Sequence, residues 1–180
     1  MTDLATSPAD DPVLDLERLA EIADLDVFTA EATARLDEYA RRAAQRLGTP
    51  IGLVTIVLDG AQVLVGRHGL TGWLATAPGT PVEWSFCAQT VRTREPYVVP
   101  DASVDAVQQH NPLVTVDSIS AYAGTPLVTS RGHVVGAHCV IGTAPREFTA
   151  AELEQLAEMA EEVVAEIESW RRSARRPAAD

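Results

Sequence analysis

The sequence predicts an α+β domain with a mostly antiparallel central sheet flanked by N- and C-terminal helices. Three observations carry this. Two β-rich segments, residues 120–129 and 133–142, are joined by the turn signal Ser130-Arg131-Gly132. A second pair, residues 51–58 and 61–66, is joined by Asp59-Gly60, which suits the two positive-φ positions of a type I′ hairpin. A helical stripe running from Leu153 through Leu156, Ala160, Val163 and Ile167 to Trp170 follows a capping box of Thr149 and Glu152.

Taken in order, residues 1–12 offer little to bury and are expected to form a disordered tail. Val13, Leu16, Leu19 and Ile22 mark a short amphipathic helix that continues weakly to Leu25. Thr29 caps a longer helix with Leu36, Tyr39, Ala43 and Leu47 on one face, ended by Gly48 and Pro50. After the first hairpin, residues 67–82 are rich in Gly, Thr and Pro and read as a long loop. Ser85 caps a helix reaching about Arg94, on which Cys87 and Val91 share a face, and Pro96 prevents its continuation. Tyr97-Val98-Val99 is a short strand, Asp101 caps a further helical turn, and Asn111-Pro112-Leu113 breaks it. Residues 134–141 are apolar at both alternating sets of positions, so this strand is expected to be covered on each side. Its neighbours His138 and Cys139 must point to opposite faces. Phe148 and Leu153 suit a hydrophobic staple across the last capping box. Residues 13–170 thus form one domain, and residues 171–180 a flexible tail.

Composition narrows the function. The chain has 180 residues, 46% of them hydrophobic, which is enough for one core. Its formal net charge is −12, and phosphate binding needs a basic face, so a nucleic-acid partner is not expected. No apolar run approaches the roughly 20 residues of a membrane span. The acidic N-terminus lacks a secretory pattern, so a cytoplasmic location is expected. A stable disulfide between Cys87 and Cys139 would be unusual there.

Several ordered motifs resemble the GAF domains, small-molecule sensor modules of signalling proteins. They are Trp84-Ser85-Phe86-Cys87-Ala88, Val98-Val99-Pro100-Asp101-Ala102 with Asp105, and Asn111-Pro112-Leu113-Val114. Tyr122-Ala123-Gly124-Thr125-Pro126-Leu127, Cys139-Val140-Ile141 and Pro145-Arg146-Glu147-Phe148-Thr149 follow, with Gly132 and Gly136 between them. The match is to GAF sensors of bacterial histidine kinases and cyclic-di-nucleotide signalling proteins. It implies a GAF/PAS-like sheet and a non-catalytic regulatory module. There are departures. All basic residues are Arg, so the family's Asn-Lys cyclic-nucleotide signature is absent. Bilin-binding relatives carry Cys then His, whereas here the order is His138-Cys139. Gly142 stands where the family commonly has Asp. No kinase, cyclase, phosphatase or DNA-binding segment is read after Trp170, so the sensor is expected to stand alone.

The ligand-binding candidates are Trp84, Phe86, Cys87, Asp101, Asn111, Tyr122, His138 and Cys139. Each has a plainer reading. Cys87 and Cys139 read first as small buried hydrophobes and second as a redox pair or a lone reactive thiol, and their separation depends on tertiary packing. GAF-type methionine sulfoxide reductases use several cysteines in another pattern, so that activity is not expected. His138 suits haem or metal ligation, or a hydrogen-bonded place in the core. No metal-ligand spacing links the histidines and cysteines. Asp101 and Asn111 can line a pocket mouth or simply cap helices. Tyr122 sits near Gly124, where backbone can approach closely for packing or for a ligand. Trp73 and Trp84 flank the long loop, as a cover over a guest or as anchors to the sheet. The terminal helical stripes suit either a homodimer bundle or packing within one chain. The reading that results is a sensor of an unknown small molecule, acting through a homodimer or a signalling partner. The alternative is a thiol-based redox sensor or reductase using Cys87 and Cys139.

Overall fold

The computed structural model describes residues 11–171. Among them are helices α1 (Leu16–Asp24), α2 (Ala30–Leu47), α3 (Cys87–Thr93), α4 (Pro112–Thr115) and α5 (Ala150–Ser169). The strands are β1 (Ile51–Val57), β2 (Ala61–His68), β3 (Gly79–Pro81), β4 (Tyr97–Val99), β5 (Ala121–Val128) and β6 (Val134–Gly142). They form one antiparallel sheet in the order β3-β2-β1-β6-β5-β4. The two predicted hairpins therefore lie side by side, joined through β1 and β6. This is the predicted α+β architecture.

The sheet is covered on both faces. On one, α2, α5 and the N-terminal segment bury Leu36, Val54, Ile56, Leu127, Val163 and Ile167. On the other, α3 and the connecting segments bury Leu53, Phe86, Cys87, Tyr122, Cys139 and Ile141. Every residue of β6 is buried, as its doubly apolar pattern requires.

Local signals set the helix ends. The Thr29 hydroxyl accepts the Ala32 N–H, and Gly48 closes α2 at φ 64°. Thr149 and Glu152 form the reciprocal capping box, and Phe148 packs in one cluster with Leu153. Ser85 Oγ accepts the Ala88 N–H at 3.0 Å at the start of α3. Arg94 ends that helix in the left-handed region, at φ 62°.

Several expectations are corrected. Neither Asp59 nor Gly60 has a positive φ, so the first hairpin has no type I′ turn. The register instead slips between Val54 and Thr55, leaving Val65 as a bulge. A bulge supplies strong local twist, which the turn then need not provide. Asp59 Oδ1 accepts the Gly60 N–H at 2.9 Å, and the Gly60 carbonyl accepts the Val82 N–H at 3.3 Å. The expected loop of residues 67–82 contains the end of β2, a 3-10 turn at Gly72–Ala75 and the edge strand β3. No helix follows Asp101, whose carboxylate accepts bonds from the Ser103 N–H and hydroxyl in a simple turn. Asn111 starts a helix rather than breaking one, because its side chain accepts the Leu113 N–H at 3.0 Å and Pro112 suits the first helical position. The N-terminal helix is divided at Asp15, which follows a 3-10 turn over Pro12–Leu14 and caps α1.

The expected tails fall, for residues 1–10 and 172–180, outside the described residues. Their inner ends are tied down. Asp11 caps the Pro12–Leu14 turn and pairs with Arg92, 3.0 Å away. Arg171 pairs with buried Glu21 at 2.7 Å and with Glu168 at 3.0 Å. Within the chain, Ile22 and Leu25 pack in one cluster with Ile167, which is the single-chain arrangement for the terminal stripes.

Candidate functional site: a thiol-lined cavity

Strand alternation sends Leu53, Tyr122, Cys139 and Ile141 to the face away from α2 and α5. The first turn of α3 places Cys87 and Phe86 above them, and Leu70, Leu74, Leu113 and Ile119 close the sides. The cavity is partly open and has a volume of about 30 Å³, room for about two water molecules. Its lining is almost wholly apolar. Gln62 and Thr80 are the amide and hydroxyl exceptions, held by bonds from Gln62 Nε2 to Thr80 Oγ1 at 3.4 Å and from Ser85 Oγ to Gln62 Oε1. Outside, Trp73 is 47% exposed. Its indole N–H donates to Asp117 Oδ1 at 2.8 Å, tying the β2–β3 connection to the segment after α4.

At the cavity wall three polarisable groups meet. Cys87 and Cys139 are free, fully buried thiols with their Sγ atoms 3.8 Å apart. The Tyr122 hydroxyl donates to Cys87 Sγ at 3.2 Å. Burial and the neighbouring thiols push the Tyr122 pKa up, so its proton stays in place to be donated. Burial opposes ionisation of Cys87, but the contacts with Cys139, Thr55 and Tyr122 outweigh it and bring its pKa below the ordinary value. The Cys139 thiol, in contact with Cys87 and itself buried, is pushed well up. The Tyr122 hydroxyl, donating to Cys87 Sγ, stabilises a thiolate at Cys87.

Glycine sets the position of Tyr122. A Cβ on Gly124 would lie 2.1 Å from the Tyr122 hydroxyl oxygen and 2.6 Å from Cζ. The ring thus folds back along its own strand over a residue that has no side chain. It is braced by Phe86 and Tyr97, with ring centroids 5.1 and 5.9 Å away.

Of the sequence candidates, Phe86, Cys87, Tyr122 and Cys139 meet at the cavity, and the other four do not. His138 points to the opposite face, where its Nδ1–H donates to the Leu53 carbonyl at 3.0 Å. Burial lowers its pKa to about 4, so the ring is neutral near pH 7. Asn111 is a brace: its Nδ2 donates to the carbonyl of Trp84 and to Gln108 Oε1, both at 2.9 Å. Trp84 packs at the edge of the cluster, and Asp101 is engaged in its turn. Sequence reasoning missed Gln62, Thr80 and Ser85. The available signal was parity, since Gln62 shares the inward set of β2 with Leu64. It also missed Arg18, a buried guanidinium that donates to the carbonyls of Val13, Val57, Pro12 and Val134. Among the described residues no group of three or more His, Cys, Asp or Glu is placed to hold a metal ion. None of their helices is long and apolar enough to cross a membrane.

A six-stranded antiparallel sheet with helices on both sides and a small cavity on one face defines an α+β domain. The GAF domain family model matches residues 31–167, and the chain belongs to that family. A cyclic di-GMP phosphodiesterase of Pseudomonas aeruginosa is 31% identical over 144 residues, which are 79% of this chain and 23% of that protein. The chain thus spans about a quarter of that relative's length. The type II free methionine-R-sulfoxide reductase of Thermoplasma acidophilum superimposes with a TM-score of 0.64 at 10% identity, over 80% of this chain and 97% of its own. The blue-light absorbing form of the Thermosynechococcus elongatus PixJ GAF domain gives 0.64 at 14% identity, over 87% and 90%. At these identities the structural matches show the shared fold.

Proposed function

We propose that this chain is a non-catalytic sensor module that takes a small apolar molecule into the cavity between the sheet and α3. The signal passes to a second copy of the chain or to a signalling partner through the terminal helices. The apolar cavity carries this reading. Its wall residues come from β1, β2, β3, β5, β6, α3, α4 and the connections that carry Leu70, Leu74 and Ile119, so a guest there contacts nearly every element on that face. The space is small, so occupancy by more than a few heavy atoms requires the wall to move. The Trp73–Asp117 contact holds two of the segments that would move. A ligand that prefers the widened state shifts the population toward it.

A route to the helices lies in the sheet. β5 and β6 carry Tyr122 and Cys139 on the cavity face and Ala123, Leu127 and Val140 on the face packed by α5. The α5 terminus is tied to α1 by Arg171 and Glu21 and to the β5–β6 turn by Ser130 and Glu168. Similarity to a cyclic di-GMP phosphodiesterase supports a signalling setting.

The test is native mass spectrometry of the purified chain, with benzene as an apolar probe in thermal unfolding. We expect either a co-purified mass lost on denaturation or a rise in melting temperature with benzene. Saturation at 100 times Kd corresponds to about 2.7 kcal/mol. Ile119→Trp, which fills the cavity, should abolish the effect. An unchanged melting temperature together with a clean apo mass would refute the reading.

A further inference from the structure

We propose that Cys87 and Cys139 are a peroxide-oxidised dithiol, a disulfide-forming modification site whose state resets the cavity wall. This is a chemistry of the same cavity wall that ligand binding does not require. The two sulfurs lie 3.8 Å apart although 52 residues separate them in the chain. They sit on two different elements, the first turn of α3 and the central strand β6. They are the two cysteines of this 180-residue sequence. Forming the bond requires the sulfurs to close by about 1.8 Å.

Access decides which oxidant can act. Both thiols are fully buried but line the cavity, whose open space holds about two water-sized molecules. Hydrogen peroxide has two heavy atoms and fits the cavity as it stands, whereas a bulky organic hydroperoxide enters only when the wall widens. Cys87 Sγ accepts the Tyr122 hydroxyl proton at 3.2 Å, which favours the sulfur that must attack. The first step forms a sulfur–oxygen bond and breaks the peroxide O–O bond. Cys87–SH and HOOH give Cys87–SOH and water, with the thiol proton leaving on the departing oxygen. In the second, Cys139–SH attacks the sulfenic sulfur and the S–O bond breaks, giving the disulfide and a second water. The two sulfurs together lose two electrons and the peroxide gains them.

The consequence for the site follows from what the disulfide removes. The first turn of α3 is drawn onto β6, and Cys87 Sγ gives up its place as acceptor for the buried Tyr122 hydroxyl. A buried donor without its acceptor must find another partner or move. Oxidation therefore changes the wall that a guest would touch.

The test uses the full chain, fully reduced and free of ligand, treated with hydrogen peroxide or with cumene hydroperoxide in the folded state. Intact mass spectrometry should show the loss of two hydrogen atoms with hydrogen peroxide, and non-reducing proteolysis should join the peptides of Cys87 and Cys139. Cumene hydroperoxide, which needs the widened wall, should oxidise the pair far more slowly than hydrogen peroxide. Cys139→Ser should retain a dimedone-reactive sulfenic acid on Cys87, and Cys87→Ser should give no adduct. The wild-type readout needs no variant, so a failure of either variant to fold leaves the test intact. Thiols that stay reduced in folded protein, or a bridge that forms only in denaturant, would overturn the proposal. So would over-oxidation of both sulfurs without a bridge. Benzene binding by a protein whose thiols resist peroxide would sink this proposal and leave the sensor reading standing. A disulfide in a protein that binds nothing would do the reverse.

Discussion

His138 makes the stability of this domain depend on pH in a window where its carboxylates are silent. The ring is fully buried on the helix-covered face, and burial holds its pKa at about 4 against an ordinary 6.5. The sign follows from proton counts. Between those values the unfolded chain binds a proton at this residue and the folded chain does not, so acid favours unfolding. The stability is fully present above pH 6.5 and is lost as the pH falls to about 4. Each pH unit is worth about 1.4 kcal/mol, so the full window corresponds to about 3 kcal/mol and the part above pH 5 to about 2 kcal/mol. Carboxylates such as Asp15 and Glu152 have ordinary values of 3.8 and 4.5 that are lowered further in the fold. Their contributions fade below those ordinary values, so the interval from pH 6.5 to 5 isolates histidine. The assay is urea unfolding at half-unit pH steps for wild type and His138→Leu. Removing the Nδ1 donor to Leu53 costs a constant offset, whereas the slope difference reports the proton. With m near 1–3 kcal/mol/M, the wild-type midpoint should fall by about 1 M more than that of the variant. Parallel midpoint curves would refute the assignment of a buried neutral imidazole.

Two further predictions concern packing and capping. Gly124→Ala places a methyl 2.1 Å from the Tyr122 hydroxyl and should destabilise by about 1–3 kcal/mol through overpacking. In a Tyr122→Leu background the same change should be nearly silent, and equal costs in both backgrounds would exclude the clash as its cause. Thr149→Ala removes the hydroxyl that accepts the Glu152 N–H. It should cost about 1 kcal/mol, or about 2–4 °C in melting temperature. A calorimetric melting temperature equal to wild type would show that the capping box contributes nothing.

The features legible in the sequence are those fixed within a few residues. The Thr149–Glu152 box, the Thr29 cap and the Gly48 ending involve partners one helical turn apart. The two-residue repeat of β6 separated His138 from Cys139 without any knowledge of the fold. Turn residues marked both hairpins, but the dihedrals at Asp59-Gly60 were not legible, because the twist is carried by a bulge on the strand opposite. Which face of β6 holds a cavity was not legible either. Both sides are apolar, and the assignment depends on where α2, α3 and α5 pack. The tertiary structure alone brought Cys87 to 3.8 Å from Cys139, folded Tyr122 over Gly124, and buried Arg18 against the carbonyl of Val57, 39 residues away. The physical reason is common to all of these. Periodicity and capping are short-range constraints written into adjacent residues, whereas a meeting of side chains from different elements is decided only when the layers close.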